Sequence, residues 1–188
     1  IVRALSPAAR LQVDIAEGDG GIVRIHKGSV TARDLTLAAT GTYDKPNAIA
    51  DLNVLLDGRA GLAELAEGVT FAGFGFDGAL KGPLNSLSAD GQLYLNDLKT
   101  AAADIGSADL RANVQVSGEV IALDIGGGAK GVRLDRLGPD LLGVGNIEVK
   151  GTYAGDKATL AVLRFDARPL SLSASGEMAL GDAPSVEF

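Results

Sequence analysis

Ala108-Asp109-Leu110-Arg111-Ala112-Asn113-Val114-Gln115-Val116-Ser117-Gly118 alternates without a break: the even positions are apolar or small and the odd ones polar. A period of two sends successive side chains to opposite faces, so this stretch is a half-buried β-strand and not a helix. The same phase runs through Leu170 to Leu180, where Leu170, Leu172, Ala174, Gly176, Met178 and Leu180 oppose Ser171, Ser173, Ser175 and Glu177. It recurs from Leu87 to Asn96, where Leu87, Ala89, Gly91, Leu93 and Leu95 oppose Ser88, Asp90, Gln92, Tyr94 and Asn96.

Weaker versions cover most of the remaining chain. They comprise Leu35 to Tyr43, Ala48 to Leu56, Phe74 to Leu80, Leu11 to Ala16, Ile22 to Lys27, Val120 to Ile125, Val132 to Asp135, Gly145 to Tyr153 and Ala158 to Phe165. About a dozen strands are predicted. Turn chemistry separates them at Asp19-Gly20-Gly21, Asp44-Lys45-Pro46-Asn47, Gly82-Pro83-Leu84-Asn85, Gly126-Gly127-Gly128, Gly138-Pro139-Asp140 and Gly155-Asp156-Lys157. Connections this short imply antiparallel neighbours. Only Leu62 to Glu67 has helical spacing, with Gly68 as its stop. There is also an internal echo: Gly41-Thr42-Tyr43 recurs as Gly151-Thr152-Tyr153, an offset that sets Ala48, Ala50 and Leu52 on Ala158, Leu160 and Val162.

Composition removes whole classes of function. The chain has 188 residues, 17 Lys+Arg against 24 Asp+Glu and a net charge of -7. That balance is the wrong sign for neutralising phosphates, so nucleic acid is not an expected partner. With no Cys and one His, thiolate chemistry, disulfides and Cys- or His-rich metal centres are excluded. No cofactor is expected. Length suggests that residues 1-188 are one domain or a piece of a larger one. The chain opens on Ile1 with no basic-then-apolar leader and contains no uncharged run of 18 apolar residues, so either a leader was removed or the chain is an excised segment.

The apolar phases pose a packing problem. A two-sheet sandwich interdigitates bulky groups across about 10 Å, but these positions mix Leu and Val with many Ala and Gly, and only three Tyr and five Phe are present. Two architectures stay open on alternation alone. One is a closed barrel or packed sandwich; the other is a strongly curled sheet with an apolar concave side, in which inward glycines mark bends and close approaches.

The segment Phe76-Asp77-Gly78-Ala79-Leu80-Lys81-Gly82-Pro83-Leu84-Asn85-Ser86-Leu87-Ser88-Ala89-Asp90-Gly91-Gln92-Leu93-Tyr94-Leu95-Asn96-Asp97-Leu98, with its G-x-L-x-G-x-L core and closing Asp-Leu, resembles the TamB family of the AsmA-like superfamily. So do Gly41-Thr42-Tyr43, Ala50 to Asp57 and the Leu62-Ala63-Glu64-Leu65 turn after it. The resemblance implies an all-β fold, a long curled antiparallel sheet (a β-taco) forming an open apolar groove. It implies a periplasmic location, with residues 1-188 as a single segment of a longer parent chain that is anchored in the inner membrane and reaches the outer one. Phospholipid acyl chains are the implied cargo, and outer-membrane protein translocation and assembly with a TamA-type barrel the associated role, through a region that matches nothing here. On that reading the groove is lined by Leu35, Leu37, Leu52, Val54, Phe74, Phe76, Leu80, Leu93, Leu95, Leu110, Val114, Val116, Ile147, Val149, Leu160, Val162, Leu170, Leu172 and Met178. The competing functions are a protein-assembly module that captures barrel strands by edge augmentation and a passive β scaffold.

An enzyme is not expected. His26 falls on the phase opposite Val23 and Ile25 and reads as a solvent-facing strand residue. Asp14, Glu17 and Asp19 lack calcium-loop spacing and read as a solvated turn. Gly126-Gly127-Gly128-Ala129-Lys130-Gly131 lacks the Walker spacing and reads as a flexible turn. Phe74 and Phe76 share a face, with Phe71 on the other, as a packing anchor.

Overall fold

The computed structural model describes residues 9–32, 35–58, 70–100, 103–134, 138–155, 157–168, 170–179 and 185–187. The alternating runs form β1 (Arg10–Glu17), β2 (Ile22–Thr31), β3 (Leu35–Asp44), β4 (Ile49–Gly58), β5 (Gly73–Pro83), β6 (Ser88–Lys99), β7 (Ala103–Ser117), β8 (Val120–Leu134), β9 (Gly138–Ala154), β10 (Lys157–Ala167), β11 (Leu170–Ala179) and β12 (Ser185–Glu187). They lie side by side in chain order in one 12-stranded sheet. Every pairing is antiparallel, as the short turns require. At the β3–β4 turn, Asp44 accepts from the Asn47 backbone N–H at 3.1 Å and from its side-chain amide at 2.8 Å, the local bond that makes Asx residues turn formers. β1 and β12 do not pair with each other, so the sheet is an open curled trough and not a barrel.

Two expected turns are strand. Gly126, Gly127 and Gly128 sit in the middle of β8, which joins Val120 to Ile125 and Val132 to Asp135 into one element ending at Leu134. Their partners are Arg111, Leu110 and Asp109 on β7 and Glu148, Ile147 and Asn146 on β9, so pairing on both sides overrides glycine's preference for turns. Gly138, Pro139 and Asp140 begin β9. Phe71 is not opposite Phe74: it precedes β5, escapes the strand alternation, and meets Phe74 edge to face at 5.5 Å and 84°. The expected helical turn at Leu62 to Glu67 lies outside the described residues.

The surface area decides between open and closed packing. The chain exposes 12220 Å², whereas a compact monomer of 19.1 kDa exposes about 8,400 Å². Among the described residues no large side chain is fully covered. The best-covered part is a seam of small and branched residues, Ala108, Leu110, Ala129, Val132 and Ala167, supported by Leu93, Leu95, Ile105, Ile125, Ile147, Phe165 and Leu170.

A crease beside this seam bends four strands together. The pairs on either side of it set Asp97, Gly106, Gly131 and Gly143 abreast across β6 to β9. Asp97 has φ 47° and Gly131 φ 64°, the left-handed region that Gly and Asp tolerate best. The twist there breaks the period of two, so Ile105 and Val132, three residues from Ala108 and Ala129, join the same apolar cluster.

Candidate apolar groove

Cross-strand register lines up the apolar phase into transverse rows. One runs Ile15, Ile25, Gly41, Leu52, Leu80, Ala89, Val114, Leu123, Gly151, Leu160, Gly176; the next Val13, Gly28, Ala39, Val54, Gly78, Gly91, Ala112, Ile125, Val149, Leu163, Ala174. A third runs Leu11, Val30, Leu37, Leu56, Phe76, Leu93, Leu110, Gly127, Ile147, Phe165, Leu172, and a fourth Leu35, Gly58, Phe74, Leu95, Ala108, Ala129, Gly145, Ala167, Leu170. No charged or hydrogen-bonding side chain interrupts any of the four. At about 4.8 Å per strand, a row crossing eleven strands is about 50 Å long.

Of the residues expected to line a groove, all but three fall in these four rows. Val116 belongs to a fifth, next to Ile121, and Met178 stands in register with Ala158 in that same fifth row. Val162 does not share the face. Ala161 is an extra residue on β10 between Leu160 and Val162, which puts Val162 opposite Lys150 and gives its place to Leu163, opposite Val149. The internal echo explains the misplacement. Tyr43 pairs with Ala50 and Gly41 with Leu52, whereas Tyr153 pairs with Ala158 and Gly151 with Leu160. The second copy has a turn shorter by two residues and then a bulge, which reverses the phase after it. Leu11, Val13, Ile15, Ile25, Val30, Leu56, Leu123, Ile125, Leu163 and Phe165 are the further large apolar residues in the rows; simple alternation within their own strands marks Leu56, Leu123 and Ile125.

The aromatic rings lie along the sheet and not upright in the trough. Phe76 covers the Gly78–Gly91 pair: a Cβ at Gly78 would lie 2.7 Å from the ring tip and 2.7 Å from Gly91 Cα. Phe165 covers Gly145 in the same way, where a Cβ would meet the ring at 2.6 Å. Glycine therefore provides the recess and the neighbouring ring fills it, which keeps the trough smooth. In the fifth row, Tyr43 and Tyr153 are the only hydroxyl-bearing groups among the groove-face positions traced from β2 to β11.

The opposite face holds the charges, and these are matched across strands. Lys81 pairs with Asp51 at 3.4 Å, Arg111 with Asp90 at 3.2 Å and Lys150 with Asp124 at 3.3 Å, while Glu148 on Lys150's own strand lies 3.2 Å from the same ammonium. The Asn113 amide and the Arg111 guanidinium hold the Asp90 carboxyl below its ordinary value. Hydrogen bonds to Glu148 and Asp124 raise Lys150. These exposed pairs contribute little individually. Glu17 is paired with Lys45 at 2.8 Å, which lowers its pKa, and His26 is exposed at a bulge on β2. Among the described residues no group of acidic or imidazole side chains is arranged to hold a metal ion, and no helix is long and apolar enough to cross a membrane.

The chain matches no known family profile, no curated protein and no solved structure.

Proposed function

We propose that this chain is a segment of a TamB-like periplasmic bridge whose trough carries phospholipid acyl chains between membranes, in support of outer-membrane assembly. The observation that carries the reading is the set of four charge-free rows, three of them unbroken apolar tracks about 50 Å long and the fourth about 40 Å, on a sheet with no lid among its described residues. Acyl chains suit such a surface because burying each CH₂ is worth about 0.8 kcal/mol and needs no directional partner. The charged outer face suits an aqueous compartment.

Native mass spectrometry of the purified chain tests this. Co-purifying phospholipid is expected, and Leu95→Asp or Val114→Asp should remove it with the β-sheet circular dichroism intact, because an unpaired carboxylate beside an acyl chain opposes binding. Gln115→Asp, on the wet face, should leave lipid bound. Folded variants that still carry lipid would sink the conduit; collapse of the sheet in both would favour a packed interior.

A further inference from the structure

We propose that the wet face carries a binding site for a ligand with an ammonium and a phosphate on one short chain, the chemistry of phosphoethanolamine, in a cleft of about 650 Å³ beside the crease. Two adjoining cross-strand rows build the cleft. One sets Gly75, Tyr94, Asp109 and Gly128 abreast; the next sets Asn96, Ser107 and Lys130 abreast, about 6.8 Å away along the strands. Glycine leaves the floor open, since a Cβ at Gly128 would meet nothing within 4 Å. Tyr94, 42% exposed, lines the β6 side.

Charge identifies the ligand. On the neighbouring wet rows opposite charges meet: Arg111 reaches Asp90 and Lys150 reaches Asp124. In the cleft they do not. Asp109 and Lys130 are diagonal neighbours on adjacent strands, within reach of a long side chain. Neither forms an ion pair with any described residue, and the Asn96 and Ser107 side chains form no hydrogen bond with one. An anion alone would meet the Asp109 carboxylate there, a cation alone the Lys130 ammonium, and a neutral ligand would leave both charges uncompensated. A ligand with both signs satisfies both residues. Its ammonium fits the row that holds the Asp109 carboxylate and the Tyr94 ring, whose face attracts cations. Its anion fits the row of donors, namely the Asn96 amide, the Ser107 hydroxyl and the Lys130 ammonium. Those donors come from three different strands, which suits the tetrahedral oxygens of a phosphate better than the two coplanar oxygens of a carboxylate. None of these polar groups lies in the trough rows, so the inference stands apart from the acyl-chain reading.

Isothermal titration calorimetry at low salt with O-phosphoethanolamine should show saturable binding, weak because the charges are exposed and screened. Ethanolamine and inorganic phosphate given separately should each bind about tenfold or more weaker. Asp109→Asn and Lys130→Gln should each lower the affinity for O-phosphoethanolamine by about tenfold or more, by removing one half of the charge match. Gly128→Val tests the cleft without touching a charge. Its side chain enters open space, so the circular dichroism of the sheet should be retained while binding is lost. Flotation on phosphatidylethanolamine vesicles separates two sources of the same chemistry: flotation that Gly128→Val abolishes would place the phosphate on a lipid headgroup, and flotation unaffected by that change would make the free phosphate ester the ligand. The proposal is overturned if O-phosphoethanolamine does not bind, if inorganic phosphate binds as tightly, or if folded Asp109→Asn and Gly128→Val variants bind as the parent does. O-phosphoethanolamine has no acyl chain, so the calorimetry does not depend on lipid in the trough.

Discussion

On β1, Leu11, Val13 and Ile15 are 68%, 53% and 57% exposed, whereas on β7, Ala108, Leu110 and Ala112 are each 5% exposed. Both strands alternate apolar and polar residues, and both lie in the same groove rows. The difference is in their neighbours. β7 is flanked by β6 and β8 and lies beside the crease, so curling brings side chains from β8 and β10 over it. Among the described residues β1 has a flanking strand on one side only and no crease. Burial in this molecule is therefore lateral: apolar groups are covered by the strands on either side and by curvature, not by a second layer. Leu110 contributes in full to stability, while Leu11 is left as a surface for something else.

The largest break in that comparison should come from adjacent glycines of β8. Gly127 faces Leu110 on the groove side, and a Cβ there would meet the Asp109 carbonyl and approach Leu110 Cα to 2.9 Å. Gly127→Val must push β7 and β8 apart and should cost about 3 kcal/mol or more in chemical denaturation. A Cβ at Gly128, on the outer face, meets nothing within 4 Å, so Gly128→Val should be neutral or stabilise by up to about 1 kcal/mol through better strand propensity. Similar losses at both positions would mean that β7 is not covered by close approach of β8.

A smaller effect separates the two strands directly. Leu110→Ala should destabilise by about 2 kcal/mol, at the low end for core truncations because no second layer forms a closed cavity. Leu11→Ala should lie within about 0.5 kcal/mol of the parent. Equal losses would show that β1 is already covered in solution.

The smallest expected effect is on the wet face of β7. The carboxyl of Asp90 is held below its ordinary value by Asn113 and Arg111, so its contribution is present above the unfolded-state pKa and is lost as pH falls through the folded one. Arg111→Ala should thus give a slight loss of stability at neutral pH that vanishes in acid, once the pH has fallen through the lowered folded-state value of Asp90. A difference that persists undiminished in acid would assign the effect of Arg111 to packing instead.

Much of this architecture was legible before any coordinates. Alternation from Ala108 to Gly118 and from Leu87 to Asn96 marks β7 and β6 and assigns each residue to a face, because the side-chain period of a strand is two whatever lies beside it. The failures occurred where local chemistry was outvoted. Gly126-Gly127-Gly128 has turn composition, but ladder partners on both sides make it strand. Val162 has the correct phase by counting, but one extra residue at Ala161 moves it to the wet face. A bulge has no signature in the alternation that precedes it, so only the register discloses it.

The sequence by itself determined an all-β chain of antiparallel neighbours with one wet and one apolar face, since these follow from periodicity, turn residues and the confinement of helical spacing to Leu62 to Glu67. Tertiary structure decided that the apolar face stays open. Sandwich, barrel and trough share one alternation pattern, and what separates them is curvature: where Asp97, Gly106, Gly131 and Gly143 fall abreast, and how closely neighbouring backbones approach at glycine. Those are relations between residues distant along the chain, and register is what brings them into line.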